Sequence, residues 1–277
     1  MPNCYISLGR FKRMLGNIPS TATGGDAAML DSVEEASRWA DEFCHRHFYS
    51  IAGTRYYRGS PLGDRRRLWL PDDLISVTSL KVDEDGDETY EMTLAVNTDY
   101  WLWPYNRLSN EPAYAIDLDP EGTQLYSWPT SRPRPIQLVG LFGYSDETEV
   151  SGTTAEELDA AETGVDMTTG HGLTGGETIR IGTEDMDVSS VATNTLTVVR
   201  GVNGTTAATH ATSSAVTRRR FPRLIELAVG MEASRSYREL QTGYSGQMAG
   251  GDFGGQFASL YPKIHDRLMR LRQPRVA

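Results

Sequence analysis

The chain has 277 residues, is 39% hydrophobic with 27 Gly and 13 Pro, and carries a formal net charge of −10. That length allows one large domain or two smaller ones, and no apolar run is long enough to span a bilayer as a helix. Six Lys/Arg stand against 25 Asp/Glu in residues 71–217 while both ends are basic, which disfavours a protein that wraps nucleic-acid phosphates and suits charge-complementary self-assembly or a surface that must not adhere to DNA.

No apolar stretch opens the chain, so no secretory leader is expected. Two cysteines, Cys4 and Cys44, fit a reducing compartment. Ser7 is placed to cap a first short helix with Leu8, Phe11 and Leu15 on one face, ended by Gly16-Asn17 and Pro19. After the loop "STATGGD", Asp26 reads as the N-cap of a second helix. Its stripe of Leu30, Val33, Ala36, Ala40, Phe43 and His47 predicts an end near His47.

From Tyr56 to Tyr144 the period changes to two. "RRLWL", "LISVTSLKV", "TYEMTL", "DYWLWP", "AYAIDL" and "PIQLVGLFGY" are separated by Pro, Gly, Asp and Asn clusters and predict an antiparallel meander. The acidic run Asp83, Glu84, Asp85, Asp87, Glu88 falls between two of these runs, and Asp85-Gly86 predicts a tight hairpin turn. A calcium loop fails on spacing, because Gly86 at loop position six puts Lys81 first and Met92 twelfth. Trp101, Trp103 and Tyr105 share one strand face. Such a row belongs to the core, or marks a partner site if it is exposed.

Residues 146–170 are acidic and aperiodic and read as a linker. "GETIRIGTEDMDVSSVATNTLTVVRGVNG" predicts three short strands, with turns at Gly182–Asp185, Thr193-Asn194 and Asn203-Gly204. This small β module has few apolar side chains and is expected to lean on a neighbour. Pro222 opens a helix with Leu224, Leu227, Ala228 and Met231 as its stripe and an Arg235–Glu239 pair. A glycine-rich loop then leads to a last helix whose apolar face is Phe257, Leu260, Tyr261, Ile264, Leu268 and Leu271. The expected class is α+β: helical N- and C-terminal segments packed around an antiparallel β meander, plus the inserted module. The divisions fall at 1–54, 55–145, 146–217 and 218–277.

Motifs for chemistry are absent. Cys44, His45 and His47 lack a second Cys/His pair at zinc spacing, and neither cysteine has a Cys–His–Asn neighbourhood. "TGHGLTGGET" lacks the Gly-Lys-Ser/Thr ending of a phosphate loop. No enzyme, metal or cofactor is expected. The two "RRR" runs, Arg65, Arg66, Arg67 and Arg218, Arg219, Arg220, read either as solvated charge or as docking points for acidic surface of a neighbouring subunit.

In order, "ISLGRFKRML", "DAAMLDSVEEASRWADEFCHRHFY", "RLWLPDDLISVTSLKVD", "TDYWLWPYN", a strand closing in "FGYS" and helices split by a glycine-rich loop resemble the head–tail connector (adaptor) proteins of tailed bacteriophages. The stretch "GETIRIGTEDMDVSSVATNTLTVVRGVNGTTAATHA" looks like a β module that recurs in phage proteins. The resemblance implies a virion protein, assembled in the host cytoplasm and forming a homo-oligomeric ring, usually a dodecamer, beneath the portal. Genomic DNA would pass through its lumen without tight binding, and a tail or tail-completion protein would attach on the far side. No membrane partner is implied. Portal contact would fall on the last helix and tail, at Lys263, Arg267, Arg270, Arg272 and Arg275, and the acidic run at 83–88 would face the lumen or the tail. A tail or baseplate component that grips a host surface through the β module is the alternative, although residues 171–217 hold no Trp, Tyr or Phe.

Overall fold

The computed structural model describes residues 3–16, 18–19, 22–61, 63–108, 111–122, 125–241, 266 and 268–272. Two compact units emerge: Arg46–Asp146 forms one, and the residues up to His45 join those from Glu147 onward in the other.

Helix α1 spans Leu8–Gly16 and α2 spans Asp26–Cys44. Ser7 Oγ accepts the Arg10 N–H, as expected of a cap. Asp26 is not the cap of α2. Gly25 holds that position at φ 88°, and the Asp26 carboxylate lies 2.7 Å from the buried Lys12 ammonium. The lysine's need for a counter-ion inside the fold takes the side chain that sequence reasoning assigned to the backbone. Helix α2 stops three residues before His47, because His45 turns into the left-handed region (φ 54°) and its N–H returns to the Asp41 carbonyl.

The first sheet is entirely antiparallel and comprises β1 (Ile51–Tyr57), β2 (Arg67–Val82), β3 (Met92–Leu94), β4 (Tyr100–Trp103), β5 (Ala113–Leu118) and β6 (Ile136–Phe142). It is not a meander. The order is β1-β6-β2-β5-β4, with β3 beside β2. The long β2 is central, pairing with β5 and β3 along one edge and β6 along the other. Pro71 cannot donate to a ladder, and the β2–β5 register breaks between Trp69 and Leu74. Leu68, Leu74, Leu80, Ile116, Ile136 and Leu138 are all buried and form the heart of this unit. At Gly143 (φ 133°) a Cβ would collide with the Tyr49 carbonyl oxygen, so only glycine fits where the chain leaves β6.

The segment from residue 146, expected as a linker, contributes β7 (Thr148–Thr153) and β8 (Gly164–Asp166). With β9 (Thr178–Ile181), β10 (Glu184–Ala192), β11 (Thr195–Val202) and β12 (Ala215–Arg219) they give six strands rather than three, in the order β7-β12-β9-β10-β11-β8. The sheet also closes on itself. Thr154 bridges Met167, and the Ala155 N–H reaches the Asp166 carbonyl at 2.7 Å. Closure pairs the outer strands of a sheet too small to leave them exposed. The turns at Thr193 and at Asn203-Gly204 lie where the sequence places them, each with positive φ. The first hairpin turn is only Gly182-Thr183, since Ile181 faces Glu184. Arg218 and Arg219 belong to β12 and not to the C-terminal helices.

Helix α3 (Arg223–Gln241) packs on α2 and α1, so all three helices share a unit with the β module, not with the first sheet as expected. The reason lies in the N-terminal segment. The Leu8 and Gly9 N–H groups bond to Gly175 and Thr174, Thr178 donates to Asn3, and Tyr5 packs against Phe221 with ring centroids 4.8 Å apart. The expected stripe on α3 is misphased. Leu227 is exposed, and Ile225, Ala228, Val229, Ala233 and Tyr237 are buried instead. Arg235 and Glu239 pair at 2.7 Å as predicted. The glycine-rich loop and most of the last predicted helix lie outside the described residues.

Candidate functional site

The row on β4 is displayed, not buried. Tyr100 points inward at 2% exposure, while Trp101 is 43% and Tyr105 61% exposed, joined by Trp69 of β2 at 36%. Trp103 stands edge-on to Trp69 (5.5 Å, 77°) and to Tyr114 (4.7 Å, 88°). Arg67 braces the row: its guanidinium lies 4.8 Å from the Trp103 ring and 5.3 Å from the Trp69 ring. The same group donates to both Asp117 oxygens at 2.7 and 2.6 Å.

Asp117 also accepts the Tyr105 hydroxyl at 2.5 Å, and Asp119 accepts the Trp101 Nε1–H at 3.1 Å. Burial raises the Asp117 pKa, but the bonds from Arg67 and Tyr105 outweigh it and hold the carboxyl below its ordinary range. The rings are therefore fixed before any partner arrives. Beside them lies an open groove of about 690 Å³, lined by Val96, Asn97, Trp101, Leu102, Tyr105 and Arg107. Ordered, solvent-facing aromatics next to a groove suit recognition of another protein.

The acidic run between β2 and β3 is a nine-residue loop, not a tight hairpin. Asp83 is buried and organises it, accepting the Gly86 N–H at 2.6 Å and the Glu88 N–H at 3.2 Å, with Arg132 at 3.5 Å. Gly86 has the predicted positive φ of 91°. Asp83, Asp85 and Glu91 approach within 4.8 Å of one another, but Asp83 already serves the backbone. Glu84, Asp85, Asp87 and Glu88 are exposed.

The two arginine runs differ. Arg65 is exposed, Arg66 partly so, and Arg67 serves the aromatic row. Arg219 is buried and pairs with the buried Asp185. Arg218 binds Glu149 and Glu177, and Arg220 binds Glu149 at 2.7 Å. With Arg10 and Arg13 of α1 they line a cleft of about 120 Å³. Arg270 and Arg272 are exposed, Arg272 lying 2.7 Å from His45 Nε2, while Lys263, Arg267 and Arg275 lie outside the described residues.

Sequence reasoning missed the polar interior of the module. Glu184 is fully buried and bound by Arg200, by His210 at 2.9 Å and by the Gly201 and Ala208 N–H groups. The signal was present: Glu184 continues the alternation of Met186 and Val188, which places it on their inward face. Cys4 is buried, and desolvation pushes its thiol up to about 12, away from nucleophilic use at neutral pH.

No family model matches the chain, and no curated protein matches it. A solved structure described as the neck of an empty GTA particle computed with C6 symmetry aligns with 100% of this chain and 93% of its own, at 14% identity and a TM-score of 0.42. A likeness at that level fixes neither fold nor function.

Proposed function

We propose that this chain is a structural virion protein, a head–tail connector that forms a ring beneath the portal and joins capsid to tail. The observation that carries the reading is the braced aromatic row of Trp69, Trp101 and Tyr105 beside its groove, a surface built to be covered by another protein. The order of sequence segments, which resembles the connector family from the first helix to the glycine-rich loop, gives that surface its context. Portal contact is assigned to the basic C-terminal segment, Lys263 to Arg275. The exposed part of the acidic loop, Glu84 to Glu88, is assigned to the lumen or the tail side, where carboxylates would repel passing DNA.

Negative-stain electron microscopy of the purified chain, alone and mixed with its portal, tests the proposal. Rings with a central hole seated on the portal are the expected result. Protein that stays monomeric and does not co-sediment with portal would overturn it.

A further inference from the structure

Strand β7 runs between two regions of opposite charge. At its start, Glu149 is shared by Arg218 and Arg220. The adjoining cleft adds Arg13 and Arg10, and Arg10 and Arg223 share Glu226. Five guanidinium groups thus distribute themselves over Glu149, Glu177 and Glu226, and Arg220 and Arg223 keep roughly half or more of their side-chain surface in solvent.

Beyond the end of β7 the sign reverses. Glu156 and Asp166 meet, with Glu162 nearby, and the hydrogen bond and negative charge of Asp166 push the Glu156 carboxyl up. The neighbouring arginine, Arg200, is turned inward onto Glu184 and donates to the Asp159 and Glu162 carbonyls, leaving its charge inside the barrel. Glu149 and Glu156 are seven residues apart on a mostly extended segment, roughly 20 Å at strand rise. An acid group at one region therefore cannot reach the arginines of its own chain at the other.

We infer that the chain self-associates head to tail, the arginine cleft of one copy receiving the acidic Glu156–Glu162–Asp166 end of a second copy. Both halves of the contact are present on every chain in equal number, so the occupant is another copy. Contact between two different patches is heterologous, and repetition closes a ring when the rotation permits. The inference rests on the ring-forming role proposed above and names the contact that would build it. It also gives Arg218 and Arg220 the neighbouring-subunit partner that the sequence left open.

The test uses the full chain in two charge-reversed forms, E156K/E162K and R13E/R220E, with folding checked by circular dichroism. Static light scattering at 50 mM salt should show wild-type assemblies and both variants as monomers. Mixing the variants should restore assembly, because each reversed end then meets its complement and the native ends still fit one another. Raising salt to 500 mM should dissociate the wild type. A wild type that is monomeric at low salt, a variant that assembles as the wild type does, or a mixture that stays monomeric would each overturn the inference. So would a wild-type assembly indifferent to salt, or an R13E/R220E variant that loses only DNA binding. Portal co-sedimentation separates the outcomes: assembly through other surfaces with portal binding intact would remove this contact alone, and salt-sensitive assembly without portal binding would remove the connector role alone.

Discussion

Arg200 donates its Nε and Nη2 hydrogens to the two carboxylate oxygens of Glu184, each at 2.7 Å, in the interior of the β module. Removing one partner strands a buried charge, which costs about 3–5 kcal/mol. R200M is therefore expected to lower the unfolding free energy by about that amount, and E184Q/R200M to recover part of it. Urea denaturation of the three proteins measures the coupling.

The carboxylates Glu184 and Asp73 give opposite dependences on pH. Burial alone would raise Glu184, but Arg200, His210 and the Ala208 N–H overcome it and hold the pKa down at about 2, against 4.5 ordinarily. Its stabilising contribution is complete above pH 4.5 and is lost as pH falls through 2. Burial lifts Asp73 from 3.8 to about 6, with Arg46 countering only part of the shift. Its ionisation therefore removes stability as pH rises from 3.8 to 6. Between pH 4 and 6 the D73N variant should show a flatter stability profile than the wild type. A slope unchanged in D73N would exclude Asp73 as its source.

Strands with a simple period were legible in the sequence, because Leu80/Val82 or Leu196/Val198 alternate against polar neighbours. Two things were not. Partner choice was hidden, since nothing local says that β6 inserts between β1 and β2. The linker reading of residues 146–170 failed because β7 and β8 are polar on their outward faces and short, closing a barrel whose apolar content lies on other strands. For the site, the alternation of Trp101, Trp103 and Tyr105 was legible, but its exposure was not. Arg67 and Asp117 decide that, and they are 50 residues apart.

The module is integral to its unit. Strands β7 and β8 pair only with strands from residues 178–219 and with each other's flanks, and Asn3, Cys4 and Leu30 contact Asn203, Thr178 and Gly176. Replacing residues 171–217 with a short Gly/Ser linker should therefore abolish soluble expression, contrary to what an inserted, detachable module would give. Recovery of a monodisperse, cooperatively folding product would show that the helices stand without it.

Trp101 separates stability from recognition. Its ring is 43% exposed, and its one described polar contact is to the exposed Asp119, so W101A should change the unfolding free energy by less than about 1 kcal/mol. Truncating an aromatic anchor at the centre of an interface costs about 2 kcal/mol or more of binding, roughly thirtyfold in affinity. Arg67 is the contrasting control. It holds Trp69, Trp103 and Asp117 together, so R67A should lower both stability and association. Thermal unfolding paired with sedimentation against portal reads both quantities. If W101A assembles and binds as the wild type does while R67A is merely unstable, the aromatic row is a surface without a partner, and the docking role passes to the charged ends of β7.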